Sequence, residues 1–74
     1  MTKYETENFE VVLLGPDRGY FEHTELGDEC GGGLWMDSGE LIDYDGVYML
    51  PAEVLEVLER AGVNCNEIRQ SLED

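Results

Sequence analysis

The short run "DECGGG" places Cys30 directly before three glycines, and His23 stands upstream of it. A thiol and an imidazole are the parts of a nucleophile–base pair, provided that they come within hydrogen-bond reach and a third group orients the base. The acidic neighbours Asp28 and Glu29 disfavour the thiolate that such a nucleophile needs, so a loop cysteine without a catalytic role is expected at position 30. Glycines 31–33 are of the type that cradles phosphate, but no Lys-Ser/Thr pair follows them. His23, Cys30 and Cys65 are three zinc-ligand types without the C-x-x-C or H-x₃-H spacing of a zinc site. "DYDG" resembles part of a calcium loop. With Asp43, Asp45 and Gly46 at loop positions 3, 5 and 6, Leu41 and Ala52 fall where ligands belong. Among so many acids no glycosidase dyad stands out, and a chain of 74 residues forms too small a cleft for one. The expectation is a protein without catalytic residues, metal or cofactor, and not an enzyme.

The carboxylates themselves are the remaining chemistry. Eighteen acidic residues face four basic ones, for a net charge of −14. Solubility in a small domain needs a magnitude of only about 2–8, and the excess destabilises the folded state by self-repulsion. Residues two apart on one strand face lie about 6.7 Å apart, and helix neighbours at i and i+3 about 5–6 Å apart. Asp43 and Asp45 on a strand, with Glu53, Glu56 and Glu59 on a helix, therefore form rows of carboxylates. Duplex DNA presents phosphates on a similar scale, with one charge per about 1.7 Å of axis. Asp37, Glu40, Asp43, Asp45, Glu53, Glu56 and Glu59 are the expected partner contacts, with Asp28 and Glu29 secondary. The expected partner is the basic DNA-binding groove of another protein. Direct nucleic-acid binding is disfavoured by repulsion from phosphate. The plain alternative is a solvated acidic surface, as in halophilic proteins.

These side chains need elements to hold them. Hydrophobic residues make up 42% of the chain and include Trp35, four tyrosines and two phenylalanines, which argues against disorder. The length corresponds to a single acidic domain over residues 1–74, with residues 1–8 frayed. Residues 9–14 read as a strand buried on both sides, 20–24 as a returning strand, 25–33 as a loop, and 34–37 as a short strand. Ser38-Gly39 is a turn, and residues 40–44 follow as a strand. Asp45-Gly46 is a hairpin signal leading into a strand over 47–50. That pairing predicts a core face of Ile42, Tyr44, Val47 and Met49, with Leu41, Asp43, Tyr48 and Leu50 opposite. Pro51 opens a helix that runs through Ala61 and stops at Gly62, with Ala52, Val54, Leu55, Leu58 and Ala61 as its apolar stripe. Asn64 and Glu67 form a capping-box pattern with Val63 and Ile68 as its staple, ahead of a second helix over 65–72. Strands first and helices last predict an α+β domain: an antiparallel sheet of three to four strands packed against two C-terminal helices. No signal-peptide pattern or membrane-length apolar run stands in the sequence. The expectation is a cytoplasmic protein that meets no membrane, with Cys30 and Cys65 as free thiols.

The stretch "GYFEHTELGDECGGGLWMDSGELIDYDGVYMLPAEVLEVLERAG", residues 19–62, resembles small proteins of phages and bacterial mobile elements. In size, charge and α+β make-up the chain is similar to DNA-mimicking anti-CRISPR proteins, including inhibitors of type I (Cascade-type, and among them type I-C) effectors. Such proteins share no common motif, so the resemblance implies a class of partner and assigns no individual contact. It implies an inhibitor acting in a bacterial host cytoplasm, which sits where a Cascade subunit reads duplex DNA and performs no chemistry. An acidic antitoxin, or an inhibitor of another basic DNA-binding protein or nuclease, would need the same acidic face and stands as the alternative.

Overall fold

Phe9, Val11 and Leu13 project to one side of strand β2 (Phe9–Leu13), and Glu10 and Val12 to the other. Val11 and Val12 are both buried, but only Val11 belongs to the core, so the expectation of a strand covered on both sides is corrected: among the described residues the helices cover one face. The computed structural model describes residues 1–46 and 50–73. Around β2 stand β1 (Thr2–Glu5), β3 (Arg18–His23), β4 (Gly27–Asp37) and β5 (Glu40–Gly46), followed by the helices α1 (Ala52–Arg60) and α2 (Asn66–Glu73). The strands form one antiparallel sheet in the order β1-β2-β3-β4-β5. Each strand pairs with its sequence neighbour, so every connection within the sheet is short. The fold is α+β, with five strands among the described residues where three to four were expected.

The additional strand comes from the segment expected to fray. Thr2, Lys3, Tyr4 and Glu5 pair with Leu13, Val12, Val11 and Glu10. Thr6 closes this hairpin: its N–H donates to Phe9 O at 2.7 Å, and Phe9 N–H donates to Thr6 Oγ1 at 2.9 Å. The polar composition of the segment concealed a strand that needs only its backbone ladder and Tyr4, which packs against the core.

Residues 25–33 were expected as a loop, yet β4 begins at Gly27. His23 Nδ1 accepts the Glu25 and Leu26 N–H groups at 3.1 and 3.2 Å, which fixes the turn into β4. Close approach, rather than looseness, explains the glycines. A Cβ on Gly31 would lie 2.3 Å from Phe21 O, and one on Gly33 would lie 2.8 Å from Trp35 Cη2.

The hairpin signal at Asp45-Gly46 is corrected. Both residues remain in β5, paired with Gly33 and Gly32. Positive φ occurs instead at Ser38 (53°) and Gly39 (79°), the two-residue loop between paired Asp37 and Glu40, as a type I′ turn requires. Residues 47–49, and with them the expected return of a strand, lie outside the described residues. The expected core face is corrected as well. Leu41 is buried and Ile42 is 49% exposed. The register shifts beside Met36, which faces Leu41, while Trp35 faces Asp43. This bulge places Ile42 out of the ladder and returns Leu41 and Tyr44 to the same side.

The core lies between one face of the sheet and the helices. Val11, Phe21, Leu34, Met36 and Leu41 meet Val54, Leu55, Val57, Leu58 and Cys65. Pro51 caps α1 rather than opening it. At the other end Gly62 N–H bonds Glu59 O and Val63 N–H bonds Leu58 O, a Schellman stop made possible by φ 94° at Gly62. Of the expected stripe, Ala52 is exposed, and Val57 is buried beside Val54, Leu55 and Leu58. Asn64 Oδ1 accepts the Asn66 N–H at 2.9 Å and starts α2. The reciprocal half of the capping box is missing because Asn64 N–H donates to Gly39 O. Val63 and Ile68 pack against the core. Among the described residues no helix is long and apolar enough to cross a membrane.

Candidate partner-binding surface

Register assigns each acid to a side of the sheet. Asp43 and Asp45 lie opposite Trp35 and Gly33, on the face turned away from the helices. Asp37 and Glu40 flank the Ser38-Gly39 turn at one end of the same hairpin. Glu10 and Glu22 face each other across β2 and β3 on that outer face. Like charges directly opposite one another destabilise a sheet, and among the described residues this one has three such pairs, Glu5–Glu10, Glu10–Glu22 and Asp37–Glu40. Lys3 relieves the first of them, lying 3.5 Å from Glu10 and 3.7 Å from Glu5.

Glu53, Glu56 and Glu59 sit on α1, which covers the opposite face, so the expected contacts divide between two sides of the molecule. Two of the three have internal partners. Glu53 accepts hydrogen bonds from Asn8 Nδ2 at 2.7 Å and Thr6 Oγ1 at 2.8 Å. These bonds, that from Asn8 foremost, hold its carboxyl below the ordinary value of 4.5. Glu59 is ion-paired with Arg69 of α2, whose hydrogen bond likewise lowers its pKa. Glu56 is exposed. Beside Glu53 and Glu56 an open cleft of about 430 Å³ separates α1 from β1, with Glu5, Glu7 and Arg60 on its rim. Glu29 is exposed on β4, and the side chain of Asp28 lies outside the described set.

The groups considered for catalysis and metal binding are placed differently. His23 commits Nδ1 to the β3–β4 turn and packs edge-on to Phe9 with ring centroids 5.2 Å apart. Both cysteines are free thiols. Cys65 is fully buried in the core, and desolvation pushes its thiol up to about 11. Among the described residues no group of three or more His, Cys, Asp and Glu side chains is placed to hold a metal ion.

Sequence reasoning did not pick out Glu10, Tyr20, Glu22 and Trp35 as surface features. The period-two runs Glu10-Val12 and Arg18-Tyr20-Glu22 carry the signal, but it becomes legible only once both strands are paired. Among the described residues no polar or charged side chain is buried. Fold and surface together define a small acidic α+β domain whose described residues cover the sheet on one face. No protein family, curated protein or solved structure matches this chain.

Proposed function

We propose that this chain is a non-enzymatic inhibitor that mimics DNA. Its acidic surface occupies the basic DNA-binding groove of a host defence complex, a type I CRISPR effector, and keeps target DNA out. The observation that supports this reading is the net charge of −14 on a folded domain that retains like-charged pairs across its strands. A fold selected for stability alone would remove such pairs, and local unfavourable choices of this kind gather at functional surfaces.

The mechanism is steric and electrostatic. Opposite potentials speed the encounter, and the complex weakens as salt screens them. No bond in the partner or in DNA is made or broken. Reversing charge at three or more of Asp37, Glu40, Asp43 and Asp45, which are exposed or half-buried, abolishes complex formation with a type I-C effector on size exclusion while far-ultraviolet circular dichroism is unchanged. Full binding by a folded charge-reversed variant would contradict the reading.

A further inference from the structure

The outer sheet face holds more than acids. Its register lays out one row across all five strands: Lys3 beside Val12, then Tyr20, Gly33 and Asp45. The adjacent row contains Arg18, Trp35 and Asp43. The Trp35 ring lies over Gly33, with Cη2 2.8 Å from the position a β-carbon there would occupy. The indole thus joins the two rows. Strands lie about 4.8 Å apart, so Val12, Tyr20 and Trp35 form a continuous strip across the middle of the face. Val12 is buried beneath its neighbours, Tyr20 is half-buried, and Trp35 remains 42% exposed. Carboxylates bound the strip, with Asp43 and Asp45 along β5 and Glu22 on β3.

We propose that this outer face is the docking surface, and that its occupant is a basic, arginine-bearing segment of a protein. A guanidinium stacks on Trp35 and Tyr20, and its N–H groups donate to Asp43, Asp45 or Glu22. The proposal rests on the basic-partner reading above and deepens it by naming the surface and the side-chain chemistry it takes. Charge complementarity selects the occupant: Glu5, Glu10, Glu22, Asp43 and Asp45 outweigh Arg18 and Lys3 on this face, and Lys3 is already paired with Glu5 and Glu10. Arginine suits it better than lysine, because a planar, weakly hydrated guanidinium both stacks on aromatic rings and forks onto carboxylates. A central aromatic anchor inside a polar rim is also the usual energetic layout of an interface. The helix face fits less well, since Glu53 and Glu59 already accept bonds from Asn8, Thr6 and Arg69.

Trp35 is the one tryptophan of the chain, so its fluorescence reports on this face. The full chain is titrated at low salt with an arginine–glycine repeat peptide. Trp35 emission and acrylamide quenching are read beside calorimetry, and sedimentation of the free protein is run in parallel. Binding shifts the emission and protects the indole. The D43N/D45N variant binds about tenfold more weakly, Arg18→Gln binds more tightly because a like charge leaves the face, and Glu67→Gln on α2 binds as the parent does. Circular dichroism establishes that each variant is folded. Calorimetric binding with unchanged Trp35 signals would overturn this surface while leaving a basic partner in place. No calorimetric binding would count against the basic-partner reading and this proposal together. Concentration-dependent protection of Trp35 in the protein alone would assign the face to a second copy and overturn the proposal.

Discussion

Glu53 shows how one carboxylate can be structural within an acidic surface. It joins α1 to the β1–β2 turn through Asn8 and Thr6, two residues far from it in sequence. Because those bonds favour its charged form, its folded pKa lies below the ordinary 4.5. The sign follows by linkage: the stabilisation is complete above the unfolded value and fades as pH falls through the lowered folded one. Glu53→Ala is therefore less stable than the parent at pH 7, and the gap narrows as pH drops below about 4.5. Urea melts of both proteins across that range measure it, and a gap independent of pH would contradict the assignment. The spacing of the glutamates on α1 was legible in the sequence. The internal partners of Glu53 and Glu59 were not, because Asn8, Thr6 and Arg69 are brought to them only by tertiary packing.

At the scale of elements, the β4–β5 hairpin decides which residues face outward. A strict alternation carried back from an Asp45-Gly46 turn places Ile42 inside, and the bulge places Leu41 there instead. Leu41→Ala is expected to cost about 2–5 kcal/mol, as a large-to-small change in a packed core does. Ile42→Ala changes stability by no more than about 0.5 kcal/mol, as exposed substitutions usually do. Denaturant unfolding separates the two, and the reverse order would restore the alternating register. The α1 and α2 boundaries, the stop at Gly62 and the strand at residues 9–14 could be read from the sequence, because capping and hydrophobic runs are local signals. β1 and the first half of β4 could not. A strand rich in polar residues, and one containing Gly31, Gly32 and Gly33, are specified by what lies beside them: Phe9 and Thr6 for one, Phe21 O and the Trp35 ring for the other.

For the whole molecule, charge and size set the behaviour together. The extents are 30 × 30 × 18 Å, while the Debye length is about 30 Å at 0.01 M salt and about 10 Å at 0.1 M. At the lower salt, carboxylates on the sheet face and on α1 repel one another through the full thickness of the domain, and at the higher salt only near neighbours do. Added sodium chloride is therefore expected to stabilise the fold by about 1 kcal/mol, or roughly 4–8 °C in Tm for a domain of this size. A melting temperature that falls with salt, followed by calorimetry, would contradict this. On the proposed complex the same screening would act in the opposite direction, because that complex would gain from the charges that strain the free protein. The most direct test of DNA mimicry uses both effects in one gel-shift competition. Type I-C effector is incubated with this protein and then with labelled duplex carrying its recognition motif, at low and at high salt. The duplex is predicted to stay unbound at low salt and to recover its shift at high salt. A duplex shifted equally with and without the protein at low salt would contradict the account.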